Sequence, residues 1–435
     1  YDIGAISSLS ASNGNWRLLR LASNNSTMSN VPTASFIQYN YTNGASVLGS
    51  GNGILHSYNP GAVTKSYDYV RSSGSSLGYR ANKTYDGSTS TSGVTYGNST
   101  VVGANGLPDE VTVSLNNPTL TFDTKNFNNN SKTITAGSAY TISSATHSRH
   151  GTVYGLSAGT QSISDARISK RSVIASGSRL YDATTTVSSS DLSTITGTVG
   201  DETLTLTGSG TLSNANAGSN KSITLGSIAL ANGSNGGVVG NYSLSSGTLT
   251  VNRRPLTATL ARQYDGTTTA AGSSLSSFNA LQGGQTLALT GSGTIASKNV
   301  GSGKSVTLGS IALADGTGSA ANYSLSSTAM NVSQRILSSS GSRPYDGTTD
   351  ASNTNLTLSN LVGSERLSFS GTGTLVNANV ASNKSVSLNS LSISNGSNGG
   401  IASNYTLAGG THQMTIDKRS VIASGSRLYD ATTTV

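Results

Sequence analysis

The residues that could do chemistry in this chain are few, and they come in pairs. Tyr and Asp stand side by side at Tyr85-Asp86, Tyr181-Asp182, Tyr264-Asp265, Tyr345-Asp346 and Tyr429-Asp430. A carboxylate beside a phenol can act as an acid or base only with a second titratable partner within hydrogen-bond reach. No second acid and no histidine recurs with these pairs. The structural reading is therefore preferred, with each Asp bonding turn amides beside a half-buried Tyr. No catalytic residue is assigned, and the chain is not expected to be an enzyme.

Other constellations resolve in the same direction. Gly301-Ser302-Gly303-Lys304-Ser305 imitates the end of a phosphate-binding loop, but that pattern needs Gly where Lys298 stands. The corresponding stretches, residues 218–222 and 381–385, read as a turn entering a strand. No cofactor is expected. His147 and His150 lack the third and fourth ligands that zinc requires and are expected in a solvated loop. The 18 acidic residues are nowhere spaced as an oxygen cage for calcium. Basic pairs, Lys170-Arg171 and Arg253-Arg254, occupy the repeat boundaries instead, so no metal is assigned and rigidity without calcium is expected.

The elements that must position these residues follow from composition. Only 10% of the 435 residues are charged, against about 25% in an ordinary soluble domain. The hydrophobic fraction is 34%, and Val, Ile, Leu, Tyr and Thr come in short alternating runs. That favours β-structure with uncharged polar outer faces over disorder. The absence of Cys excludes disulfides and thiolate metal sites. No apolar run approaches the roughly 18–20 residues of a membrane-spanning helix. The chain opens at Tyr1 without a leader sequence and is expected to be an interior segment of a larger precursor. The net charge of +8 is scattered rather than clustered on one face, so no specific nucleic-acid partner is expected.

The dominant fact is repetition. Residues 170–187 read KRSVIASGSRLYDATTTV, and residues 418–435 read the same. Between them the Tyr-Asp pair recurs at Tyr181, Tyr264, Tyr345 and Tyr429, with spacings of 83, 81 and 84 residues. The expected organisation is a β-rich segment at 1–80, a divergent repeat at 81–170, repeats at 171–253, 254–334 and 335–418, and the opening of another at 419–435. Each repeat shows a turn, an alternating strand near 203–206, a Gly-rich break, and a hairpin-like pair in which Ile223 and Leu225 face Ile228 and Leu230 across Gly226-Ser227. Last come strands carrying Tyr242 and Leu249. Such short alternation with frequent turns predicts an all-β chain: a tandem array of small β-sandwich domains, Ig-like or β-grasp-like, forming an elongated rod. A short helix near residues 275–281 would fit the β-grasp variant.

The Tyr-Asp-Gly-Thr-Thr element, followed by Asn-Tyr-Ser-Leu and a boundary Arg, resembles the YDG repeats of bacterial surface proteins over residues 81–435. Ala183 and Ala431 depart from the pattern where Gly is usual, which puts a turn of positive φ in question there. Asn15-Trp16-Arg17-Leu18-Leu19, residues 36–40 and residues 49–55 resemble a segment of filamentous-haemagglutinin-like exoproteins that lies between a β-helix and a YDG array. These resemblances imply two-partner secretion through an outer-membrane transporter to the extracellular surface of a Gram-negative bacterium. Related adhesins are glycosylated at sequons such as those starting at Asn241, Asn322 and Asn404.

The expected function is a repetitive stalk of a large secreted adhesin, serving attachment, cell–cell contact or biofilm formation. Its partners would be an extracellular glycan or a host or neighbour-cell surface. The alternative is a self-assembling filament subunit whose repeats associate with each other. An enzyme or lectin would need a pocket peculiar to one unit, and residues 81–170, with Pro108-Asp109-Glu110 and residues 122–127, are where it would lie.

Overall fold

The computed structural model describes residues 17–20, 33–41, 46–69, 79–108, 110–429 and 431–434. Asn15, Trp16, Asp109 and Asp430 lie outside the described residues. Regular structure among the described residues consists of β-strands and single 3-10 turns, with no α-helix. The chain falls into two compact units: Tyr1–Ser178, Thr186–Ser213 and Ser222–Leu249 form one, and Arg179–Thr185, Asn214–Lys221 and Thr250–Val435 the other.

In the second unit, residues 254–334 build one six-stranded sheet, strongly curled into a half-barrel. Its strand order is Thr269–Ala271, Ser292–Ile295, Gly301–Thr307, Tyr323–Ser333, Arg254–Gln263, Leu275–Phe278. The opening and closing strands are interior neighbours and run parallel, with Leu260 opposite Met330. Period-2 alternation turns Leu256, Ala258 and Leu260 inward from one strand, and Met330 and Val332 from the other. Each aliphatic side chain so buried is worth roughly 1.5–3 kcal/mol. Leu287–Thr290 and Ala312–Asp315 form a separate antiparallel ribbon whose Leu289 joins the same core.

Residues 335–418 repeat this plan, with Ser338–Pro344 parallel to its neighbour His412–Asp417 inside the sheet and a ribbon of Leu367–Ser370 with Ser392–Asn395. Residues 171–253 carry the same six-plus-two strand order. The two-sheet sandwich is thus met in part: one sheet curls round the core, and the second is reduced to a ribbon. Two local expectations change. The segments carrying Ile223 and Ile228 are not a hairpin, because Gly218–Thr224 pairs with Ser209–Leu212 whereas Ala229–Asn232 pairs with Leu204–Thr207. A tight turn, closed by the Ile228 amide on the Leu225 carbonyl at 2.8 Å, sends the chain from sheet to ribbon. The helix near 275–281 is instead a 3-10 turn, Gly272–Ser274, followed by the strand Leu275–Phe278.

In the first unit, residues 81–170 keep the repeat's strand order in a sheet of Thr95–Tyr96, Ala81–Thr84, Thr160–Ser169, Asn128–Ala139 and Leu120–Phe122. Ala81–Thr84 again runs parallel to the closing strand. Strands inserted into this copy leave its sheet. Ser99–Gly103 pairs with Ala62–Tyr67, and Gly151–Tyr154 pairs with Phe36–Gln38. The three motifs noted near the start of the chain contribute strands to one parallel stack, in which Gly53–His56 lies between Arg17–Arg20 and Phe36–Gln38.

Candidate functional site

The Tyr-Asp turn is built identically wherever it is described in a complete repeat. The Asp carboxylate accepts the amide of the residue two places on: Ser88 at 2.9 Å from Asp86, Thr184 at 3.0 Å from Asp182, Thr267 at 2.9 Å from Asp265, and Thr348 at 2.9 Å from Asp346. The hydroxyl of the same Ser or Thr bonds the same oxygen. A basic residue two places before the Tyr pairs with the Asp, as Lys83, Arg179, Arg262 and Arg343 do. This is an Asx-type turn locked by one cation. Ala183 and Ala431 adopt φ of 64° and 56°, the region in which Gly266 sits at 77°, and at Ala183 the turn survives the substitution at a strain cost.

The turn positions the Tyr ring for a contact beyond its own repeat. Tyr85 meets Tyr242, Tyr181 meets Tyr323, and Tyr264 meets Tyr405, with ring centroids 5.3, 5.2 and 5.4 Å apart and the rings near perpendicular. In every case the second Tyr belongs to the Asn-Tyr element of the following repeat. Edge-to-face packing of this kind adds about 0.5–1.5 kcal/mol beyond burial. All six rings are buried, so Tyr85, Tyr181 and Tyr264 are not half-buried as the sequence predicts for the Tyr-Asp pairs.

Both hydroxyls of each pair converge on one side chain. Tyr85 and Tyr242 donate to the two carboxylate oxygens of Glu202 at 2.7 and 2.5 Å, and Tyr264 and Tyr405 donate to those of Glu365, both at 2.7 Å. At the middle junction Gln285 takes the place of the acid, donating to Tyr181 at 2.9 Å and accepting from Tyr323 at 2.7 Å. Burial pushes the Glu365 carboxyl up, but the Tyr405 and Tyr264 hydroxyls and the Lys298 ammonium at 3.1 Å hold it below the usual glutamate range. Burial and then the Glu202 bond raise the Tyr85 phenol, and the Tyr242 phenol is pushed up to about 12 for the same reasons. Such a carboxylate is engaged in holding two phenols.

An asparagine clasp closes each junction. The Asn241 side chain accepts the Phe127 amide at 2.8 Å and donates to Asn126 at 3.1 Å. Asn322 does the same to Ala217 and Asn216, and Asn404 to Val300 and Asn299. The three sequon asparagines are therefore buried and fully bonded in the fold. The loop they grip is held by the lysine of the apparent phosphate-loop motif: Lys304 bonds the Ser297 carbonyl at 3.1 Å, as Lys221 bonds that of Asn214 at 2.7 Å. Boundary arginines add to this, since Arg254 and Arg335 reach back to the carbonyls of Tyr181 and Tyr264.

The remaining predicted positions lie apart. Tyr345 is 41% exposed and Tyr429 is 94% exposed. His147 and His150 are not in a solvated loop; both are buried, with rings 4.7 Å apart, and His150 Nδ1 accepts the Ala34 amide at 3.2 Å. Burial, then the neighbouring His147 and Arg149, lower the His150 imidazole to about 4. No group of three or more His, Asp or Glu able to hold a metal occurs among the described residues. Within residues 122–127, Lys125 approaches Glu202 at 4.0 Å and the Phe127 amide is taken by Asn241, so this stretch serves a junction. Sequence reasoning missed Glu202, Gln285 and Glu365; the available signal was their shared place in the loops VGDE, QGGQ and VGSE, at 199–202, 282–285 and 362–365.

Comparison with known families places these elements in order. The YDG domain matches three times, over residues 170–250, 247–330 and 331–415, which together span more than half of the chain. No curated protein matches the chain.

Proposed function

Because the chain belongs to the YDG-domain family, we propose that it is a repetitive stalk segment of a large secreted cell-surface adhesin. The observation that carries this reading is the Tyr–Glu/Gln–Tyr junction, formed three times in succession with the same partners. Conserving a buried contact between repeats while their exposed faces stay polar and uncharged suits a spacer that must hold its length. On this reading the array is an elongated rod that carries a binding region away from the cell toward an extracellular glycan or a neighbouring cell surface. The filamentous-haemagglutinin-like motifs near the start support export by a two-partner transporter of a Gram-negative bacterium. Many weak polar faces along such a rod would add multivalent contact.

The test is replacement in the parent protein on expressing cells. Deleting residues 171–418 is expected to abolish attachment, and an unrelated folded array of equal span in their place is expected to restore it. Failure of the replacement to restore attachment would contradict the stalk reading and make the repeats the binding element.

A further inference from the structure

The third repeat presents a junction half that nothing in the described structure covers. Tyr345 occupies the place of Tyr264, and its amide bonds the Asp417 carbonyl at 2.9 Å, as the Tyr264 amide bonds that of Ser333 at 2.9 Å. Asp346, Thr348 and Arg343 lock its turn as in the other repeats. The clasp loop is preformed as well. Lys384 bonds the carbonyls of Asn377 and Asn379 at 2.5 and 2.7 Å, matching Lys221 on Asn214 and Asn216 at 2.7 and 2.5 Å. Yet Tyr345, Asn379 and Val380 are exposed, where Tyr264 is fully buried. A Cβ on Gly266 would stand 2.6 Å from Val362 of the following repeat, whereas one on Gly347 would meet nothing within 4 Å.

The three closed junctions also obey a charge rule. Where the shared group is Glu202 or Glu365, the loop residue before the clasped Asn is a lysine, Lys125 or Lys298, at 4.0 and 3.1 Å. Where the shared group is the neutral Gln285, the corresponding loop residue is Ala215. A buried carboxylate without a countercharge is costly, and the half-exposed Lys125 and Lys298 supply that countercharge, which a neutral glutamine does not need. In the open half this place is taken by Ala378.

We propose that the Tyr345 face is a docking surface for the Asn-Tyr half of a further YDG repeat, and that Ala378 makes it select a repeat with glutamine rather than glutamate at the shared position. The proposal rests on the junction geometry and not on what the array displays. It is tested on the full chain extended past Val435 by a second copy of residues 188–253, with Glu or Gln at the position copied from Glu202, each with Ala378 or Ala378→Lys. Tyr345 is expected to become protected from nitration on docking. With Ala378 the Gln form is expected to dock at least about tenfold more favourably than the Glu form, and Ala378→Lys is expected to reverse the order. Tyr345 nitrated as fast in all four extended chains as in the unextended one would overturn the docking surface. Protection with no dependence on the pair would overturn the selection.

A second measurement needs no extension. In the unextended chain Gln285→Glu is expected to weaken the middle junction about tenfold, and adding Ala215→Lys to recover most of that loss. Urea unfolding reads both variants, and an absence of recovery would also overturn the charge rule.

Discussion

Tyr264 and Tyr405 stand 141 residues apart in the chain, yet their rings meet edge to face at 5.4 Å and their hydroxyls bind opposite oxygens of Glu365. One comes from the opening turn of a repeat and the other from the short strand Tyr405–Thr406 of the next. Neither repeat can complete this cluster alone, so folding of one is tied to the presence of the other, as in other arrays stabilised by nearest-neighbour interfaces.

Removing the shared acid is the most damaging single change at this junction. Glu365→Ala leaves two buried phenols without an acceptor and Lys298 without its partner. The expected loss is about 2–4 kcal/mol by urea unfolding, and Tyr405→Phe, which removes one charge-assisted bond, is expected to lose about 1.5–3 kcal/mol.

The turn residue after the Asp gives predictions of opposite sign. Ala183→Gly relieves a left-handed alanine and is expected to stabilise by about 1 kcal/mol. Gly266→Ala adds the same strain and drives a Cβ to 2.6 Å from Val362, so a loss of more than about 1 kcal/mol is expected in the same unfolding assay.

Alkali is expected to open the junctions that hold a glutamate. Tyr242 and Tyr405 ionise near 12 in the fold, above the value near 10 of the unfolded chain. The unfolded state therefore loses protons first. The stability these phenols contribute is complete below pH 10 and is lost as pH rises from about 10 to 12, and urea midpoints measured across that range check the window.

Acid acts elsewhere, in the first unit. His150 titrates near 4 in the fold against about 6.5 unfolded, so the unfolded state binds the proton first. Stability is complete above pH 6.5 and falls as pH drops toward 4, by a few kcal/mol if the group acts alone. His150→Phe is expected to flatten this dependence in pH-resolved urea titrations.

Much of this architecture was legible in the residues. The spacing of the Tyr-Asp pairs located the repeats, and alternation such as that of Leu256, Ala258 and Leu260 located the strands. Alternation carries no record of strand direction, so the parallel pair inside each sheet was not readable. Nor was the split of the Ile223 and Ile228 segments between sheet and ribbon, which a local pattern cannot distinguish from a hairpin. The junction was hidden for two reasons. The Tyr of each Tyr-Asp pair is more than a hundred residues from the group it bonds, and that acid alternates with Gln285, so no recurring carboxylate stood beside the Tyr-Asp pairs. The Asn-Tyr elements were visible as sequons, although their amides are spent on the clasp. The histidines were misplaced because two imidazoles in a polar stretch give no sign that inserted strands will bury them.

Hydrogen exchange on the full chain and its Glu365→Ala variant tests the central claim, that repeats are coupled through these clusters, most directly. The coupled account predicts that amides in both 254–334 and 335–418 lose protection together, those of Tyr264 and Asn404 among them, while 81–170 keeps its own. Loss confined to 335–418, with 254–334 unchanged, would contradict it.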